Sequence, residues 1–79
     1  MTVYVVMTGV VDEMLLDSIW DSLQAAKGHV DAIIRTSPRP SLWKQCKDTT
    51  KLLWSGGGRF IDITEEEVQT GTWMQNAWD

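Results

Sequence analysis

The sequence DSLQAAKGHVDAIIRT at residues 21–36 decides the fold, because it predicts an amphipathic helix on which the other apolar segments can pack. Its apolar residues recur at steps of three and four, the spacing that places side chains on one face of an α-helix. These residues are Leu23, Ala26, Val30, Ile33 and Ile34. At 1.5 Å per residue the helix is roughly 22 Å long. We therefore expect it to cover one face of a small sheet.

The ends of this helix carry their own signals. Asp21, with Gln24 three residues later, resembles a capping box at the start. Pro38 disfavours the α conformation in the residue before it, so the helix has to end by Ser37. Gly28 lies inside the helix and costs about 1 kcal/mol relative to alanine. We interpret Gly28 as a position where the helix approaches the sheet closely.

Two strands are predicted before the helix. Residues 3–7, VYVVM, are β-branched, aromatic and apolar, which is typical of a central strand. Residues 15–20, LLDSIW, predict a second strand that forms a hairpin with the first across a loop longer than a two-residue turn. Strict alternation would place Leu16, Ser18 and Trp20 on one face. A helix is the alternative for this second segment, since Met and Leu favour helices.

Two more strands are predicted after the helix. Residues 49–54 and 59–63 predict a hairpin, because the glycines at 56–58 are typical turn residues. Between the proline loop and this hairpin, Ser41 could cap a short helix. After the hairpin, residues 64–67 have the form of a capping box, which predicts one helical turn.

The resulting pattern, β-β-α-β-β, predicts an α+β domain of two layers. The sheet would be four-stranded and mainly antiparallel, with one helix on a face and a short C-terminal tail or helical turn. Seventy-nine residues suffice for one domain, 1–79. Such a small domain has a thin stability margin, which packing or self-association has to supply.

The charge composition indicates which classes of partner the chain can attract. Eleven acidic and seven basic residues give a net charge of −4, so the chain as a whole has little attraction to phosphate backbones. The composition therefore argues against nucleic acid as a partner, although residues 39–51 are locally basic. No apolar run approaches the ~20 residues of a membrane span, and residues 1–11 lack the features of a signal peptide. The unpaired Cys46 fits a reducing compartment, so we expect a soluble cytoplasmic protein with no membrane association.

The first half of the chain resembles a class of small phage proteins. Residues 2–9, TVYVVMTG, and residues 19–27, IWDSLQAAK, are similar to the start of small uncharacterised bacteriophage-encoded proteins, which have a VYVV-type first strand. The resemblance covers roughly residues 2–34. It implies a β-β-α start and a phage origin, with the bacterial host cytoplasm as the location. It supplies no catalytic residues.

No motif in the sequence predicts catalysis. Residues 56–58 are followed by Arg59 and a strand, whereas a P-loop requires Lys and Ser or Thr at the start of a helix. His29 and Cys46 are the only residues of their types, too few for a zinc site. A Cys–His nucleophile pair would need these two within hydrogen-bonding distance. We expect no enzyme, no cofactor and no metal.

The number of tryptophans, five in 79 residues, is higher than expected for so small a domain. Trp20 and Trp54 fit the core, but the others are hard to bury in so small a domain, and Trp is frequent among the residues that dominate protein interfaces. The interface candidates are Trp43, Trp73, Met74 and Trp78, rimmed by Arg39, Lys44 and Asp79.

These candidates predict a non-enzymatic protein-interaction module. Its partner would be a bacterial host protein that it modulates, if the phage resemblance holds, or a second copy in a homodimer or other homo-oligomer. The alternative is a single-stranded nucleic-acid-binding protein that uses Trp43 and the basic segment 39–51.

Overall fold

The computed structural model describes residues 1–47 and 51–68. Within them the chain forms one α-helix and one antiparallel five-stranded sheet. The strands lie in the order β2-β1-β5-β4-β3. The elements are β1 (Thr2–Val10), β2 (Glu13–Trp20), α1 (Leu23–Arg35), a 3₁₀ turn (Pro40–Leu42), β3 (Lys44–Cys46), β4 (Leu52–Gly56) and β5 (Arg59–Glu67). The predicted α+β class, with one helix packed on the sheet, is confirmed. The predicted number of strands is wrong, because the sheet has five and not four.

The extra strand is β3, which replaces the short helix expected after Ser41. Its three residues pair antiparallel with β4, Lys44 opposite Ser55 and Cys46 opposite Leu53. The helical part is limited to the 3₁₀ turn, which closes with a hydrogen bond from the Trp43 amide to the Pro40 carbonyl, 3.1 Å long. A three-residue strand shows too little alternation to be recognised without its partner strand.

The segment 64–67 was expected to start a helical turn, and that prediction is wrong because β5 continues through it. Partners across the sheet hold its carboxylates in the extended conformation. The Tyr4 hydroxyl donates to Glu65 Oε1 at 3.3 Å, and the Met1 ammonium donates to Glu67 Oε1 at 2.8 Å. Partial burial of the phenol, followed by the neighbouring Glu65 carboxylate, raises the pKa of Tyr4. Hydrogen bonds from the Met1 ammonium and the Thr2 hydroxyl lower the pKa of Glu67.

The first hairpin differs from the prediction in its turn and in its register. Only two residues, Val11 and Asp12, separate the strands, so the expected longer loop is absent. Opposite β1, the register shifts between Ser18, which faces Val6, and Leu16, which faces Met7. Asp17 is the extra residue of this β-bulge.

The bulge changes which side chains share a face. Strict alternation predicts Leu16 together with Ser18 and Trp20. Instead Leu16 and Ile19 lie on the face away from the helix, opposite Met7 and Val5 of β1.

The helix packs on one face of the sheet, over the central strands β1 and β5. Its N-cap is Ser22, whose hydroxyl accepts the Ala25 amide at 3.1 Å, so the predicted Asp21–Gln24 capping box is not formed. The helix ends before Ser37, as Pro38 predicts. The core consists of two helix residues on three strand residues: Ala26 and Val30 on Val6, Ile61 and Ile63. Trp20 and Trp54 pack at its margin, as expected.

Gly28 does not mark a close approach to the sheet. It is exposed, and a Cβ built there meets no atom within 4 Å. By contrast, Gly57 and Gly58 are required by the β4–β5 turn, which confirms the glycine hairpin. Their φ angles are 59° and 85°, and consecutive positive φ values are what a tight turn of the hairpin type demands.

On the other face of the sheet, a buried aspartate is paired with a half-buried lysine. Asp62 of β5 is only 5% exposed, and its Oδ2 accepts the Lys51 Nζ at 3.2 Å. Its Oδ1 has no hydrogen-bond partner among the described residues. Asp62 points away from the helix because its neighbours Ile61 and Ile63 point into the core.

Candidate functional site

A groove of about 440 Å³ opens between the C-terminal end of α1 and the β4–β5 hairpin. The chain reaches it three times, through the end of the helix with the proline loop, through the 3₁₀ turn, and through the glycine turn. The lining residues are Ile33, Thr36, Ser37, Pro38, Arg39, Leu42, Trp43, Gly56, Gly57 and Arg59. The groove is therefore mainly apolar, with an arginine from each side.

Trp43 forms one wall of the groove and lies directly on the backbone of Gly56. A Cβ at Gly56 would be 2.5 Å from Cδ2 of the indole, far inside van der Waals contact. The ring is half-buried and also packs on the margin of the core. Trp43 is thus a rigid apolar wall, and Leu42 beside it is 47% exposed.

The hydroxyls of the groove are already engaged as donors. Thr36 Oγ1 donates to the Ala32 carbonyl at 2.9 Å, and Ser37 Oγ donates to the Ile34 carbonyl at 2.6 Å. The same two carbonyls also accept the Thr36 and Ser37 amides at 3.1 Å, so each hydroxyl adds a second donor to a carbonyl in the last turn of the helix. The hydroxyls therefore fix the end of α1 and keep only acceptor capacity towards a ligand.

The arginines give the groove a positive charge. Arg39 and Arg59 are both exposed, and neither forms an ion pair with another described residue. Arg35, which stands between the lining residues Ile33 and Thr36 but does not line the groove, is instead paired with Asp31 at 3.2 Å. A guanidinium binds a carboxylate or phosphate through two parallel hydrogen bonds. The groove can thus bind an apolar group with an adjacent anion.

The structure brings together two of the predicted interface residues, Arg39 and Trp43. Lys44 is exposed next to Trp43, but it does not line the groove. Pairing with Ser55 places Lys44 on the opposite face of the sheet, away from the helix. Trp73, Met74, Trp78 and Asp79 lie outside the described residues.

Sequence reasoning missed the contribution of Arg59. It follows the glycine turn, and antiparallel pairing places it directly opposite Gly56. Because Gly56 also contacts Trp43, this register brings Arg59 to the same groove. The sequence carries a signal for this placement, because Arg59 lies directly opposite Gly56 if the turn between them contains two residues, Gly57 and Gly58. The three glycines left the turn length open.

A second polar cluster lies where β2 meets α1, but its geometry does not fit catalysis. His29 Nε2 lies 2.6 Å from Asp17 Oδ2, and the Ser18 hydroxyl donates to the same oxygen at 2.9 Å. Trp20 Nε1 donates to Ser18 Oγ at 2.7 Å, and its ring lies 5.1 Å from that of His29. Ser18 is thus bonded to the carboxylate and not to the imidazole, so the nucleophile–base contact is absent from the cluster.

The Cys–His pair considered from the sequence is not formed. Cys46 belongs to β3 at one edge of the sheet, whereas His29 contacts β2 at the other edge. The Cys46 thiol lies 3.4 Å from the Ser55 hydroxyl instead. Within residues 1–47 and 51–68, no three His, Cys, Asp or Glu side chains are grouped as metal ligands.

Among the residues that the structure describes, no helix has the length and apolar character that a bilayer span requires. Of the sites in the described residues, the groove beside Trp43 is the one whose lining combines an apolar wall with arginines that have no ion partner there. Comparison with protein families, with curated proteins and with solved structures finds no match to this chain.

Proposed function

We propose that the protein is a small non-enzymatic interaction module, and that its groove binds a partner protein through a segment that is both apolar and acidic. The observation that carries the proposal is the placement of two arginines at an indole-walled groove in a chain of net charge −4. The resemblance to small bacteriophage proteins extends the proposal to a bacterial host protein as the partner, which the module would modulate by occupying its surface.

The apolar part of the groove supports a protein partner. Tryptophan contributes much to interfaces because it buries a large area at low cost in side-chain entropy. Contact with Gly56 already fixes the ring of Trp43, so binding does not have to order it. Together with the exposed Leu42, it offers a preformed pocket for an aliphatic or aromatic side chain.

The arginines of the groove determine which charge the bound segment of the partner should have. Arg39 and Arg59 lie at the groove without an ion partner among the described residues, so an incoming carboxylate displaces only water. The chain as a whole is acidic, so its net charge does not favour an acidic partner, and the attraction comes from local basic sites such as this groove. We therefore expect a segment in which an apolar residue stands beside Asp or Glu.

The alternative is a single-stranded nucleic acid, and one observation favours it: the groove combines an aromatic ring with arginines, the usual elements of base stacking and phosphate binding. Against it, one side of the Trp43 indole is occupied by Gly56, which leaves less of the ring for a base. The net charge also opposes a polyanion. Affinity for oligothymidine that falls steeply with salt would identify this alternative.

The test is a titration of the isotope-labelled protein, followed by NMR, with a short synthetic peptide that alternates leucine and glutamate. We expect shifts of the Trp43 indole and of the Leu42 and Arg59 amides. Replacing Arg39 or Arg59 with Gln should weaken binding by about tenfold each, the value of one charged hydrogen bond. Arg35→Gln is the matched control, because Arg35 is occupied by Asp31.

Two results would contradict the proposal. One is equal binding of a peptide in which lysine replaces glutamate, because the arginines would then not be selecting the charge. The other is an effect of Arg35→Gln as large as that of Arg59→Gln, because the interaction would then be a diffuse attraction and not a site.

A further inference from the structure

The two edges of the sheet are protected very differently. β3 has three residues, carries the exposed Lys44 and is followed by the exposed Lys47. Short length and lysines are the devices by which proteins keep an edge strand from pairing with another chain. β2, at the other edge, has eight residues and contains no Lys, Arg or Pro.

Exposed apolar side chains are concentrated at the β2 edge. Five of the large hydrophobic residues that are exposed lie on this strand or beside it: Val10 (41%), Val11 (75%), Leu15 (60%), Leu16 (58%) and Ile19 (56%). Because of the bulge, Leu16 and Ile19 share the face away from the helix, and Leu15 lies on the other. The face away from the helix is therefore apolar at this edge, and the other face carries Leu15 beside the polar cluster of Asp17, Ser18 and His29.

The bulge residue, Asp17, does not place a free charge at the edge that would hinder pairing with another chain. The Asp17 carboxylate is turned towards the helix, where it is held by His29 at 2.6 Å and by Ser18 at 2.9 Å. Its charge is thus engaged within the protomer, and Glu13 is the one other acidic residue of β2. A bulge shortens the stretch of regular edge available for pairing but does not remove it.

We propose that β2 pairs with β2 of a second copy, antiparallel and about a two-fold axis, so that two five-stranded sheets form one continuous sheet. The five apolar side chains expose on the order of 500 Å², and a standard interface buries about 800 Å² per partner. The main-chain edge and its neighbours supply the remainder. The same apolar strand on both sides suits an isologous contact, in which each patch faces its own copy.

This surface is separate from the groove, which is built from the end of α1, the 3₁₀ turn and the β4–β5 hairpin and contains no residue of β2. A pair of copies therefore presents two accessible grooves on one rigid body. Two linked sites bind a repeated or dimeric partner more tightly than either site alone.

The experiment is the solution mass by light scattering across a range of protein concentrations, with Leu16→Lys and Ile19→Lys as variants and Gln45→Lys on β3 as matched control. We expect the wild type and the control to reach twice the 9.0 kDa mass of one chain, and both β2 variants to remain at the single mass. Both replaced side chains are more than half exposed, so we expect unchanged circular dichroism.

A wild type that stays at 9.0 kDa at the highest soluble concentration overturns the proposal, and so do β2 variants that still pair. Should a variant fail to fold, hydrogen exchange of the wild type decides. Amides of β2 should exchange faster on dilution while those of β3 do not change, and a β2 exchange rate independent of concentration overturns the pairing.

Discussion

Trp43 and Gly56 are in direct contact, with so little space between them that a Cβ at position 56 would lie 2.5 Å from the indole. Glycine at this position therefore determines where the indole lies, and with it the shape of the groove. Gly56→Ala should displace Trp43 and lower the free energy of unfolding by about 1–3 kcal/mol, the usual cost of overpacking. Urea denaturation measures the loss, and the Trp43 indole resonance reports the displacement. An unshifted indole with full stability would contradict the contact.

Gly28→Ala should have the opposite effect and serves as the matched substitution. Position 28 is helical and exposed, and a Cβ there meets nothing within 4 Å. Alanine loses less backbone entropy than glycine when the helix forms, so the free energy of unfolding should rise by up to about 1 kcal/mol. The same urea titration shows it as a higher midpoint with an unchanged slope. A lower midpoint would mean that the glycine has a packing role.

Replacing Ser22 with alanine should lower the stability of the protein much more than replacing Asp21 with alanine. Ser22 supplies the N-cap by accepting the Ala25 amide at 3.1 Å, so Ser22→Ala should cost about 1 kcal/mol. Asp21 precedes the cap and is exposed, so Asp21→Ala should change stability by less than about 0.5 kcal/mol. Thermal melts followed by circular dichroism compare the two. The reverse order would restore the capping box predicted from the sequence.

Lys51 should contribute to stability through the buried carboxylate of Asp62. Lys51→Met removes the partner 3.2 Å from Oδ2, and Oδ1 already has no partner among the described residues. We expect a loss of about 1–3 kcal/mol in denaturant titrations, because a buried polar group is left unsatisfied. The exposed Lys47, replaced in the same way, is the control and should change little. Equal effects of the two substitutions would argue against the pair.

Glu67 should make folding sensitive to acid. Its pKa is lowered in the folded state, so its carboxylate stabilises the fold at pH values above its ordinary pKa of 4.5, and this contribution is lost as the pH falls through the folded-state pKa. The wild type should therefore have a higher melting temperature than Glu67→Gln above pH 4.5, and it should lose this advantage as the pH falls through the folded-state pKa of Glu67. Melting curves of both proteins at matched pH values measure the difference. A constant difference between them would show that the ammonium and hydroxyl contacts do not favour the ionised form.

The sequence predicts the helix well because its signal is periodic and long. The spacing from Ala26 to Ile34 indicates the buried face, and Pro38 limits the end. Leu23, which was expected on the same face, is exposed, because it lies in the first turn beyond the core residues of the sheet. The strands of the two hairpins are also visible, since β-branched runs flank turn residues. What the sequence does not show is which strands pair with one another in the sheet. Residues 44–46 become a strand only because Leu53 and Ser55 lie beside them.

Two errors have a common physical cause, which is that contacts with residues distant in sequence outweigh local conformational preference. The acidic run after Thr64 favours a helix start when read alone, but Tyr4, Thr2 and the Met1 ammonium hold it in β5. Likewise, Asp17, the extra residue of the bulge, places its carboxylate against His29, twelve residues later in the chain. None of these partners is adjacent in sequence.

The groove itself is not predicted from the sequence, for a similar reason. Only Arg39 and Trp43, four residues apart, are both interface candidates from the sequence and lining residues of the groove. Arg59 and Ile33 come to the same place through the sheet register and the end of the helix, which a linear reading does not contain.

Met1 and Val68 have a mechanical consequence for the chain. They are joined by two main-chain hydrogen bonds, the Val68 amide to the Met1 carbonyl at 2.7 Å and the Met1 ammonium to the Val68 carbonyl at 3.0 Å. They lie at the same end of the antiparallel pair β1–β5, which is the centre of the sheet. A stretching force applied at these two residues would load the ladder one rung at a time and peel the central strands apart, whereas the same force applied across opposite ends of the pair would have to shear every rung together.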